Sequence, residues 1–144
     1  MNTNELLQRL DRLGNGPPSD EQAVLLQEAR TRFMCVEVYV HTTEDLTGDD
    51  EVYVKVRRGG AEQTTGPVAI GDRGEHKFMI PLGKLAREFG AFTIEIFEKD
   101  TGFFDDDDQV IHARWEPPYW VQHFRGGSDV GGTYLATVGS AESF

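Results

Sequence analysis

The side chains of this chain with the clearest capacity for chemistry are carboxylates, and they are unevenly placed. The stretch EDLTGDDE carries Glu44, Asp45, Asp49, Asp50 and Glu51; the stretch EKDTGFFDDDD carries Glu98, Asp100, Asp105, Asp106, Asp107 and Asp108. The other 14 acids balance the 14 Lys and Arg, so these eleven acids account for the whole net charge of −11. Carboxylates packed inside a Debye length of about 8 Å repel one another unless a cation sits among them. Ca²⁺ takes six to eight oxygens at about 2.3–2.6 Å, mostly from carboxylates and backbone carbonyls. A divalent cation, or the basic surface of another protein, therefore suits these clusters. Nucleic acid does not, because phosphate binding requires a basic footprint.

Other chemistries find little support. His41, His76, His112 and His123 are scattered, and with Cys35 alone they give no zinc-ligand spacing. Each histidine reads as a surface or half-buried side chain. No nucleophile elbow, P-loop or dinucleotide fingerprint occurs, and no EF-hand loop. The glycine-rich RGGSDVGGTY precedes a strand rather than a helix, so it reads as a hairpin turn. Paired carboxylates serve acid–base catalysis when burial raises one of them, a condition that open loops do not meet. The chain reads as non-enzymatic.

Two kinds of element must position the acids. Over residues 1–32, Leu6, Leu7, Leu10 and Leu13 recur at helical spacing, and GNGPPSD interrupts the run. Ser19 or Asp20 caps a second helix, with Gln22 at capping-box distance from Ser19 and Val24, Leu25 and Ala29 forming its apolar stripe. A helical hairpin docked through Leu6, Leu10 and Leu25 is expected. From Phe33 the period becomes two. Met34, Val36, Val38 and Val40 share one strand face, with Cys35, Glu37, Tyr39 and His41 on the other. VYVKVRR, PVAIG, HKFMIPLG, AFTIEIFE, QVIHARW and GTYLATVG supply six more short strands, and LGKLAREFGA a helical turn. Seven strands separated by Gly-, Asp- and Pro-rich turns predict a mainly β chain, an antiparallel β-sandwich over 33–144. Met34, Val36, Val38, Val40, Val54, Ile94 and Ile96 are its expected core. No transmembrane or signal segment is seen, and with one cysteine the expected setting is cytoplasmic.

Both acidic segments follow a strand, so both are expected to leave the sandwich at the same end. There the chain resembles a family. TTEDLTGDDEVYVKV resembles the opening of a protein kinase C conserved-region-2 (C2) domain, where a loop Asp is followed six residues later by Asp-Pro-Tyr-Val. Asp45 and Glu51 have that separation, and Glu51-Val-Tyr-Val stands in the motif's place. IEIFEKDTGFFDDDD resembles the family's later calcium loop: Glu98 and Asp100 form the Asp-x-Asp pair, and Asp106 lies six residues on. GTYLATV resembles its final strand. The resemblance spans Met34 to Val138 and departs from the pattern at Glu51, Glu98 and Val52, which replaces Pro.

The resemblance implies a calcium-binding C2-like module in which Asp45, Glu51, Glu98, Asp100 and Asp106 hold the metal. Asp49, Asp50, Asp105 and Asp108 are further candidates. It also implies that Phe103 and Phe104, at the loop tip, enter an anionic membrane surface once the metal has neutralised the loop. The other reading folds both rings onto the sandwich rim. Lys55, Arg57 and Arg58 form a small basic patch able to meet lipid headgroups, although edge-strand cations also serve to block strand pairing. The alternative function is a metal-independent acidic interaction domain, as in an accessory, immunity or assembly protein.

Overall fold

The computed structural model of the chain describes residues 5, 19–21, 33–43, 48–83, 85, 90–99, 107–128 and 131–140. Every strand pairing among these is antiparallel. The strands are β1 (Phe33–Thr42), β2 (Asp50–Arg58), β3 (Ala61–Thr64), β4 (Val68–Ile70), β5 (Glu75–Pro81), β6 (Phe92–Glu98), β7 (Asp108–Trp115), β8 (Gln122–Gly127) and β9 (Thr133–Ser140). One sheet has the order β5-β1-β9-β8; the other has the order β3-β2-β6-β7, with β4 pairing the start of β2. The expected helical hairpin over 1–32, including Leu6, Leu10 and Leu25, lies outside the described residues apart from Glu5 and 19–21, as does most of the expected helical turn.

Alternation explains the core. Met34, Val36, Val38 and Val40 from β1 meet Val52, Val54 and Val56 from β2 and Ile94 and Ile96 from β6, all fully buried. β-branched side chains suit the pleated surface, and each buried Val or Ile contributes about 1.5–3 kcal/mol relative to exposure. All seven expected core residues lie here. Two departures are informative. Phe33 and Cys35 sit on the outward face of β1 and are nonetheless buried. A bulge on β7, between Ile111 opposite Ile96 and Gln109 opposite Phe97, turns both Val110 and Ile111 inward.

The two sheets approach closely where β8 passes β7. A side chain at Gly126 would collide with the Val110 carbonyl, so only glycine fits there. At the end holding the β2–β3 turn, Arg58 lies 4.5 Å from the Phe92 ring centroid, and its Nε donates to the Gly90 carbonyl at 2.8 Å. Phe92, Trp115 and Tyr119 pack around it, with Trp115 Nε1 donating to the Trp120 carbonyl.

Candidate functional site

The strand ends that launch both acidic loops converge at the other end of the sandwich. The first loop leaves β1 at Thr42 and re-enters at Asp50; the second leaves β6 at Glu98 and re-enters at Asp108. Val52 pairs with Glu98, and the Lys99 amide donates to the Glu51 carbonyl at 2.7 Å, so the start of β2 and the end of β6 lie side by side. Glu98 in turn stands opposite Asp108. On the other sheet, Thr42 pairs with Thr133 at the start of β9. The two sheets are joined here by the Tyr134 hydroxyl, which donates to Asp50 Oδ2.

Strand alternation divides these acids between two faces. Asp50 and Glu98 point between the sheets and are 0% and 4% exposed. Burying a carboxylate is costly unless it is paired or hydrogen-bonded, and Tyr134 supplies one such bond to Asp50. Glu51 lies on the opposite face of β2, beside Tyr53. Glu98 and Asp108 form a directly opposed like-charge pair, an arrangement that is unfavourable by itself. Asp49 leans over the β4–β5 turn: a Cβ on Gly71 would stand 2.6 Å from its Oδ1.

Three side chains that sequence reasoning passed over complete the rim. Tyr53 donates to Asp107 Oδ2 at 2.6 Å, and burial, followed by this bond, pushes its hydroxyl up to about 12. Asp72, in the β4–β5 turn, accepts from the Thr43 amide at 2.7 Å, which holds its carboxyl below the usual range. Tyr134 was detectable in principle: a tyrosine on the inward face of a strand needs a partner for its hydroxyl.

Asp45, Asp100, Asp105, Asp106, Phe103 and Phe104 lie outside the described residues. Among the described residues, no group of three His, Cys, Asp or Glu side chains is arranged to hold a metal ion.

The expected basic patch is not a single surface. Lys55 and Arg57 point outward from β2, so alternation sends Arg58 to the inner side of the same strand, into the aromatic group at the far end. Lys55 lies over Phe97, and Arg57 pairs with Glu95. All three cations are engaged within the domain.

The fold is similar to a solved structure described as a C2 domain, at 19% identity, covering 74% of this chain and 96% of that one, with a TM-score of 0.42. No protein-family model matches the chain, and no curated protein does. Among the described residues, no helix is long and apolar enough to cross a membrane.

Proposed function

We propose that the chain is a non-enzymatic, C2-like binding module that takes up Ca²⁺ between its two acidic loops. The observation that carries this reading is the convergence of the loop anchors at one end, with Asp50 and Glu98 both turned inward beneath them. Residues 1–32 form a helical segment and 33–144 the sandwich domain in this account. Glu98 supplies the inward ligand; Asp45, Asp100 and Asp106 complete the set from the loops, and Glu51 stands at the rim. Ca²⁺ would relieve the opposition of Glu98 and Asp108 and the crowding of the neighbouring carboxylates. Once neutralised, the loop tip with Phe103 and Phe104 becomes available to an anionic membrane surface or a protein partner, in a cytoplasmic setting.

The test is a melting curve with Ca²⁺, Mg²⁺ or chelator. Calcium at roughly 100 times its dissociation constant adds about 2.7 kcal/mol to a native state that alone binds it. Mg²⁺ does less, because it requires a tight octahedron and sheds water reluctantly. Liposome co-sedimentation with anionic lipid then compares wild type with Phe103→Ser/Phe104→Ser. Equal pelleting with and without Ca²⁺ rejects the membrane-anchor role.

A second reading, a metal-independent acidic interaction domain, is favoured by one observation. Asp50, Asp107 and Asp72 each already accept a hydrogen bond from the protein. A melting curve unmoved by Ca²⁺ selects this reading.

A further inference from the structure

On the outer face of the sheet β5-β1-β9-β8 lies an open groove of about 400 Å³ that has no part in the metal reading. Its floor is Leu135 and Thr133 on β9. Tyr39 and Arg125 both pair with Leu135 from the strands on either side, which sets their backbones about 10 Å apart across the floor. Tyr39 and His41 form one wall, their rings stacked nearly parallel with centroids 6.4 Å apart. Arg125 forms the other wall; it is exposed and makes no ion pair among the described residues.

We propose that this groove binds a small aromatic carboxylate. A guanidinium presents a planar, permanently charged fork matched to a carboxylate. Thr133 brings a hydroxyl to the same lining, and the Tyr39–His41 wall and Leu135 floor offer a ring an apolar, stackable surface. The volume lies within the range of small-molecule sites, about 300–1,000 Å³. Charge narrows the choice further. His41 and Thr133 adjoin the acidic rim of a chain of net charge −11, so a single negative charge on the ligand is tolerated better than two.

The test uses the isotope-labelled chain of 144 residues in chelator, so that its outcome is independent of calcium. Sodium benzoate, cyclohexanecarboxylate and benzamide are titrated at constant ionic strength while backbone amides are followed by NMR. Benzoate is expected to shift the amides of Tyr39, His41, Thr133 and Leu135 saturably. Cyclohexanecarboxylate, which lacks the stack, should bind about three- to tenfold more weakly. Benzamide, which lacks the charge, should bind about tenfold or more weakly. Arg125→Ala should lose a similar factor for benzoate with an unchanged melting curve, since its side chain is exposed and makes no ion pair among the described residues. Benzoate shifts that never saturate, or equal binding by Arg125→Ala, would overturn the proposal.

Discussion

Replacing Tyr134 with Phe removes one hydroxyl and leaves the ring, so no cavity opens. That hydroxyl donates to the Asp50 carboxylate, which is fully buried between the sheets. Hydrogen bonds to charged groups contribute about 1.5–3 kcal/mol, and a buried acceptor that loses one bears most of that cost. For a chain of this size the loss corresponds to a fall in Tm of roughly 5–12 °C. Urea unfolding of wild type, Tyr134→Phe, Asp50→Asn and the double variant gives the coupling directly. A coupling of about 1 kcal/mol or more is expected, because each single change removes the same interaction. The denaturant slope should stay constant, since the fold is unchanged. A Tyr134→Phe loss below about 0.5 kcal/mol, or strict additivity in the cycle, would show that this bond does not fasten the sheets.

Arg58→Lys should cost about 1–3 kcal/mol, because an ammonium cannot both lie flat on Phe92 and keep the fork's bond to Gly90; wild-type stability in urea would refute this. The Tyr53 hydroxyl titrates at about 12 rather than 10.0, so its contribution is complete below pH 10 and fades as pH rises through 12. Tyr53→Phe should therefore flatten that alkaline limb of the stability profile. Asp72 runs the other way: its lowered value gives stability present above its ordinary range near 3.8 and lost on acidification through the folded value, which Asp72→Asn should remove. Burial pushes the Cys35 thiol up to about 11, so a thiol reagent at pH 8 should label the native chain at least about tenfold more slowly than the unfolded one. Rapid labelling of the native chain would contradict its burial.

The strands that alternate cleanly were legible in the sequence. β1, β2 and β6 place valine and isoleucine on every second residue, and their pattern located the core. β3 and β8 were not recognised. β3 is the polar tetrapeptide AEQT, and β8 ends in Gly126 and Gly127, whose composition reads as a turn. Gly126 belongs to a strand because the Val110 carbonyl leaves no space for a side chain, a tertiary reason invisible to local pattern. The same limit applies at the rim. Spacing pointed to Glu51, but pleating turns Asp50 inward and Glu51 outward, and only the pairing of β2 fixes that phase. The run Lys55, Arg57, Arg58 looked like one patch because neighbours in sequence were read as neighbours on a surface. A strand separates adjacent residues onto opposite faces, and Arg58 joins the aromatic group instead.

Calorimetric titration of the chain with Ca²⁺, and separately with Mg²⁺, decides whether the acidic loops hold a metal ion. Saturable Ca²⁺ binding, weaker Mg²⁺ binding, and loss of the Ca²⁺ signal in a variant carrying Asp45→Asn and Asp100→Asn are expected. Absence of a binding isotherm at millimolar Ca²⁺, in protein whose melting curve is also unmoved by the ion, would contradict the metal reading.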